Sequence, residues 1–301
     1  MTATTPAVAE SLPPASPERS KAARRARRTA SGRLGPFAWV YLGLLGVFFF
    51  VPLLAMARFA FQRFSMAIMT WDKVFDGWSL SPLTDAFTNG TTLDMVWVSV
   101  KLAVLTVALT ITLVLPTALF VDLKAPSLRA VLMVLTIAPW IVPPIALVVG
   151  VTPTFRASAR WFLSSIYCLV PFYTLWALPF AYRAIDGGLR AINVRTLYEA
   201  SRSLGASTPT FLFKVVLPNM VPALLVTSAL TSATVLGEFA FAQLLGKQTL
   251  PTYLIVISGS SGNPRQGMAL SLASLMLTTI VIGLSAAALR RRGISFNAAG
   301  I

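Results

Sequence analysis

The sequence contains no histidine and a single cysteine, Cys168, among its 301 residues. A disulfide within the chain is therefore impossible, and acid–base or metal chemistry that depends on imidazole is excluded. No cluster of Asp, Glu or Cys suggests a catalytic or metal centre either. We expect no catalytic residue and no metal ligand in this chain, and we interpret Cys168 as a small packing residue.

The sequence also lacks the phosphate-binding loop Gly-x-x-x-x-Gly-Lys-Ser/Thr. The pair Gly246-Lys247 is preceded by no glycine at the required spacing and is not followed by Ser or Thr. The chain is therefore not expected to bind or hydrolyse ATP by that route, and no other cofactor is predicted for it.

Charged residues are scarce, at 12% of the chain, whereas hydrophobic residues make up 56%. Soluble domains carry roughly 25% charged residues. The apolar residues form long runs, and a membrane-spanning helix needs about 20 predominantly apolar residues. The sequence predicts an all-α polytopic membrane protein with six transmembrane helices. The predicted spans are residues 37–57, 94–120, 128–151, 161–181, 219–243 and 267–289.

The net charge of +15 comes from basic residues that gather on one predicted side of the membrane. They concentrate in the N-terminal tail, in the loops 121–129 and 182–218, and after residue 289. Because cytoplasmic segments carry an excess of Lys and Arg, these segments and both termini are predicted to be cytoplasmic, in a cell (plasma or inner) membrane. This distribution explains the charge without nucleic acid as a partner.

The tail of residues 1–33 is rich in Ala, Pro, Ser and Arg and has no apolar periodicity. It is predicted to be disordered and to lie near anionic lipid headgroups. The first apolar run is interpreted as a retained span because it is nearly long enough to cross the membrane. A cleaved signal peptide is the alternative, since Ala55-Met56-Ala57 has the small-x-small pattern of a cleavage site.

A polar stretch between two apolar runs carries the most informative motif. It reads Glu-Ala-Ser, three residues, Gly, nine residues, Val, one residue, Leu-Pro. This pattern resembles the cytoplasmic EAA loop of permease subunits in bacterial ABC importers, with Ser for the second Ala and Val for Ile. The residues that the resemblance assigns to coupling with an ATPase are Glu199, Ala200, Ser201, Leu204, Gly205, Leu217 and Pro218.

The same stretch predicts its own local structure. A capping residue should begin a short helix that runs through Leu204, and Gly205 can adopt the left-handed conformation that ends a helix. A second helix should follow, and Pro218 should mark a corner before the fifth span. Small residues at 200 and 201 would let another protein approach closely. The capping candidates are Asn193 or Thr196 for the first helix and Ser207 or Thr208 for the second, with Pro209 in its first turn.

The resemblance implies the type I importer permease fold and a set of partners. These are a dimeric ATP-binding subunit that holds ATP and Mg²⁺, a second permease subunit in a heterodimer, an extracytoplasmic substrate-binding protein, and membrane lipid. The implied organisation is a basic tail (1–33), the first span with an external loop (34–93), a permease core of five spans (94–290) containing the coupling loop 182–218, and a C-terminal tail (291–301).

The cargo is indicated only by a finer resemblance. Gly237-Glu238-Phe239 and Leu272-Ala273-Ser274 are similar to permeases of the spermidine and putrescine branch, which implies a polyamine. Importers of iron, thiamine, phosphonate or sulfate are alternatives, as is an ion-coupled secondary transporter, although the latter usually needs several intramembrane charges. Glu238 and Phe239 are candidates to line the substrate path; a structural role for Glu238 in helix packing is equally open.

Several prolines occur within the predicted spans. A proline in a membrane helix removes a backbone hydrogen bond and kinks the helix, which suits a gated path. The prolines concerned are Pro116, Pro139, Pro143, Pro144, Pro171, Pro179 and Pro222.

Overall fold

The computed structural model describes residues 35–62, 70, 76–259 and 264–291. The described residues are almost entirely helical, and their β-structure is limited to one isolated bridge between Gln62 and Trp78. The helices are α1 (Pro36–Ala60), α2 (Ser81–Thr88), α3 (Gly90–Lys124), α4 (Arg129–Ile141), α5 (Pro144–Ser158), α6 (Arg160–Ser164), α7 (Leu169–Ala191), α8 (Val194–Ser203), α9 (Thr208–Phe211), α10 (Leu217–Gly237), α11 (Ala240–Leu244), α12 (Leu250–Gly259) and α13 (Pro264–Arg291).

Five helical segments within the described residues are long and apolar enough to cross a membrane, and a sixth is obtained if the bent pair α4–α5 counts as one span. The prediction of an all-α polytopic protein is confirmed. The predicted N-terminal tail and residues 292–301 lie outside the described residues. The chain divides after Leu54 into two compact units, and the second, from Ala55 onward, contains the bundle described below.

The third predicted span is not one straight helix. α4 stops at Ile141, α5 starts at Pro144, and their axes differ in direction by 92°. Val142 is extended (φ −93°, ψ 121°), as expected for a residue whose helical conformation clashes with a following proline. Pro143 precedes Pro144 and is extended for the same reason. α5 continues through Ser158, beyond residue 151, where the third span was predicted to end.

The fourth span is longer than predicted, so the polar loop starts later in the chain. α7 continues to Ala191, ten residues beyond the predicted end of the span at 181. Ile185 and Leu189 are fully buried on one face, while Arg183 and Arg190 are exposed on the other. The charged residues that suggested a loop from residue 182 therefore belong to an amphipathic helix end.

No corner forms at Pro218, contrary to the prediction. α9 continues through a π-helical turn, Leu212–Val216, into α10 as one apolar span that ends at Gly237 rather than 243. The amide of Leu217 donates to the Leu212 carbonyl, five residues earlier. Proline disrupts a regular helix by its missing N–H and its contact with the carbonyl four residues before it. The wider turn accommodates both effects, so the helix passes through the proline.

The second unit is built around α3, α7 and α10, which pack on one another. Their buried side chains form two large apolar clusters, one of them at the end of the bundle that carries α8, and a small third one between α7 and α10. At that end α7 and α10 come very close. A Cβ atom at Gly188 would lie 2.4 Å from the Cβ of Ala223, so only glycine fits at this contact.

Candidate functional site

A glycine corner ends α8. Gly205 has φ +76°, in the left-handed region that favours glycine. Its amide donates to the Arg202 carbonyl at 3.0 Å, and the Ala206 amide donates to the Ser201 carbonyl at 2.9 Å. These two bonds form the Schellman motif, which satisfies the free carbonyls at a helix end. The predicted helix and glycine corner are confirmed.

The second helix begins as predicted from its capping residue. Ser207 is extended, and its Oγ accepts a hydrogen bond from the amide of Thr210 at 3.4 Å. Pro209 lies in the first turn of α9. Asn193 occupies the cap position of α8, but its side chain makes no capping bond. Its left-handed backbone (φ 49°, ψ 55°) instead turns the chain from α7 into α8.

α8 has an inward and an outward face. Val194 and Ser201 are buried, and the Ser201 hydroxyl donates to the Leu197 carbonyl at 2.7 Å. Ser201 therefore faces the protein's own core, and of the two small residues expected to face a partner only Ala200 is exposed. Glu199 and Ala200 are exposed, as is Leu204, at 88% of its surface. Glu199, Ala200 and Leu204 thus form the outward side of α8 and of its C-terminal end.

Aromatic and cationic contacts hold α8 against the bundle. The Tyr198 ring packs edge-on against Phe211 of α9 at 5.2 Å, and the Lys124 ammonium lies 5.4 Å from the centre of the Tyr198 ring. Arg195 donates to the backbone carbonyl of Asp122 at 3.3 Å. Phe211 is 1% exposed and belongs to the apolar cluster at this end of α3, α7 and α10. α8 is therefore packed against the apolar cluster that α3, α7 and α10 share.

Leu217 and Pro218 lie away from the exposed tip of α8. Leu217 is half-buried at the start of α10 and packs against the same apolar cluster. Pro218 is exposed, on the continuous helix described above. The motif residues therefore divide into an outward group around Gly205 and a group that joins the loop to α10.

A family model described as "Binding-protein-dependent transport system inner membrane component" matches residues 114–294. The chain belongs to this family. The match covers most of the second unit, including the motif loop and Glu238, and it confirms the resemblance to ABC importer permeases and the placement in the inner membrane.

Similar permeases cover parts of the chain. It is 29% identical over 160 residues to a probable ABC transporter permease protein, y4fN, of Sinorhizobium fredii, covering 50% of this chain and 27% of that protein. It is 35% identical over 119 residues to a putative ABC transporter permease of Streptomyces antibioticus, covering 38% of this chain and 52% of that protein. It is 31% identical over 94 residues to the methionine import system permease MetP of Bacillus subtilis, covering 31% of this chain and 42% of that protein. The matched segments thus span about a quarter to a half of these relatives.

Within this permease fold, Glu238 lies at the break between α10 and α11. It is 8% exposed, and its Oε1 accepts a hydrogen bond from the amide of Phe241 at 3.1 Å, in the first turn of α11. Its Oε2 is buried and has no hydrogen-bond partner among the described residues. Phe239 is half-buried beside it. One oxygen thus caps α11, and the other is enclosed by the protein, with the Tyr173 hydroxyl nearby.

Sequence reasoning missed a charge network at the end of the permease bundle that carries α8. Arg129, the first residue of α4, forms ion pairs with Asp186 of α7 and, at 3.3 Å, with Asp122 of α3. Asp186 also pairs with Arg190 at 2.9 Å. The i,i+4 spacing of the last pair is readable from sequence. The Arg129–Asp186 pair could not be predicted in this way, because 57 residues separate its members.

Proposed function

We propose that this chain is the transmembrane permease subunit of an ATP-driven importer for a small solute. The observation that carries the proposal is the structure of α8 and α9, in which a glycine corner holds an exposed apolar tip on a helix packed against three spans. The family match supports it. The chain is a transport component, and ATP with Mg²⁺ is bound and hydrolysed by a separate subunit.

The exposed residues of α8 act as the docking surface for the ATPase. Leu204 inserts into the partner, Ala200 permits close approach, and Glu199 supplies a polar contact at the edge. When the ATPase dimer closes on ATP it moves α8, and the apolar cluster around Phe211 passes the movement to α3, α7 and α10. A buried, well-packed cluster transmits strain because its side chains have little free space in which to rearrange.

The partners follow from this arrangement. One permease chain carries one such docking surface and a dimeric ATPase offers two sites, so a second permease subunit completes the complex, and we propose a heterodimer. α8 lies on the cytoplasmic side, with both chain termini, and an extracytoplasmic binding protein delivers the solute on the opposite side. We propose the same organisation along the chain as the sequence predicts. A basic tail (1–33) precedes the first span with its external loop (34–93), and the permease core (94–290) is followed by a C-terminal tail (291–301).

Two observations bear on the chemical class of the solute. A relative named as a methionine import permease does not support a polyamine, although the buried carboxylate of Glu238 suits an amine cation. Both a polyamine and a zwitterionic amino acid carry an ammonium group. We therefore propose a small solute with at least one cationic amine, and we retain a polyamine as one such solute.

Replacing Glu238 with Gln should reduce uptake of a cationic solute by about tenfold, since hydrogen bonds to charged groups are worth about 1.5–3 kcal/mol. The amide oxygen of Gln can still accept from Phe241, so the cap of α11 is retained. Radiolabelled spermidine and methionine uptake into proteoliposomes measures the effect. The control is Asp94→Asn, at an exposed carboxylate near the start of α3. Equal uptake by the two variants would remove Glu238 from the path.

The proposed function is tested by reconstitution. The chain is co-expressed with the ATPase, second permease and binding protein encoded beside it, and the purified complex is placed in proteoliposomes. We expect solute uptake that requires both ATP and the loaded binding protein. Uptake driven by an ion gradient without ATP would instead support a secondary transporter and contradict the proposal.

A further inference from the structure

α4, the first half of the broken span, is loosely packed along its length. Within α4, all of whose residues are described, only Thr136 is buried. A cavity of about 160 Å³ lies between α4 and the helices α3 and α7, lined among others by Leu132, Thr136 and Tyr182. The cavity is open on one side, so the middle of α4 packs against the bundle through a narrow strip of residues that includes Leu132 and Thr136.

Specific contacts at each end also attach α4 to the bundle. At one end Trp140 stacks on Trp176 of α7 at 4.9 Å, and its indole N–H donates to the Trp176 carbonyl at 2.9 Å. At the other end Arg129 pairs with Asp186 of α7 and Asp122 of α3. Asp186 is only 13% exposed, so its carboxylate relies on Arg129 and Arg190 for compensation.

The Arg129 end lies next to the docking helix. The backbone carbonyl of Asp122 accepts a hydrogen bond from Arg195 of α8, and the side chain of the same residue holds Arg129. Asp122 therefore links α8 to the first residue of α4. This polar route differs in kind from the apolar cluster that joins α8 to α3, α7 and α10, against which α4 packs only through the partly buried Leu132.

We infer that Arg129 is a positioning residue that links α8, through Asp122, to the broken span α4–α5. This inference rests on the proposed function and adds a second route for the movement of α8. When α8 moves, Asp122 and Arg129 carry the first residue of α4 with it. The loosely packed middle lets α4 shift as a unit, and the 92° break after Ile141 turns that shift into a movement of α5.

The first test measures position in the purified permease complex without any transport. Spin labels are attached at Ser203→Cys on α8 and Val134→Cys on α4, both exposed positions, and the distance distribution is measured by pulsed electron paramagnetic resonance. We expect a narrow distribution in the parent and in Arg129→Lys, which keeps the charge, and a broad one in Arg129→Gln. An unchanged distribution in Arg129→Gln would overturn the inference.

The second test measures coupling in the reconstituted importer. Arg129→Gln should lower solute uptake per ATP hydrolysed by about tenfold, which corresponds to about 1.4 kcal/mol, and Arg129→Lys should restore most of it. The matched control is Arg183→Gln, at an exposed arginine three residues before Asp186 on the same helix. If solute uptake per ATP hydrolysed is the same in Arg129→Gln as in Arg183→Gln, the inference is overturned. If the parent complex shows no ATP-dependent uptake, the proposed function fails, while the distance measurement still decides the role of Arg129.

Discussion

Replacing Gly205 with Val should abolish solute uptake while leaving membrane insertion intact. The residue has φ +76°, where a non-glycine residue costs about 1–2 kcal/mol and a β-branched one costs more. No atom lies within 4 Å of the position a Cβ would occupy, so the effect comes from the backbone rather than from a clash. The valine variant relieves the strain by opening the corner, which moves Leu204 away from its docking position.

The measurement compares uptake with ATP hydrolysis in the reconstituted complex. In Gly205→Val the ATPase should no longer be stimulated by the loaded binding protein. Gly205→Asn is the matched control, because asparagine tolerates the left-handed conformation at a helix end, and it should retain most of the uptake. Wild-type transport by Gly205→Val would refute the role of the corner.

Replacing Gly188 with Val should destabilise the helix bundle. The Cβ of any residue there would lie 2.4 Å from the Cβ of Ala223, so α7 and α10 must separate. Overpacking of this kind costs about 1–3 kcal/mol, and the loss extends to the apolar cluster that supports α8. We expect a lower melting temperature and a lower yield of monodisperse protein in detergent, measured by thermal unfolding and size-exclusion chromatography.

Gly150→Val separates this effect from the general penalty of valine in a helix. Gly150 lies within α5, and nothing is within 4 Å of its hypothetical Cβ. This variant should melt within a few degrees of the parent. Similar melting temperatures for the two variants would show that the close approach of α7 and α10 is not important for stability.

The sequence alone was sufficient for the parts of the fold that depend on local patterns. Apolar runs located the spans, and the glycine and capping residues around position 205 predicted both short helices of the loop, because these features are set by neighbours in sequence. The boundaries were less accurate. The charged residues after position 181 suggested a loop. In the structure they lie on the less buried face of α7, which continues to Ala191.

Three features required the three-dimensional structure. The passage of the helix through Pro218 depends on a π turn that no residue pattern signals, and the inward orientation of Ser201 depends on the packing of α8 against the bundle. The pairing of Arg129 with Asp186 joins residues distant in sequence, so no spacing rule reveals it. The substrate path stays a proposal for a related reason: one buried carboxylate does not specify a ligand.

The most direct test of the central claim, that α8 docks on a separate ATPase, is site-specific photo-cross-linking from Leu204. A photoreactive amino acid replaces Leu204 in the intact complex, and Trp97, 60% exposed on α3, serves as the control position. We predict a cross-link from position 204 to the ATP-binding subunit whose yield changes when ATP is added, and none from position 97. A complex in which position 204 cross-links to no ATP-hydrolysing subunit would contradict this claim.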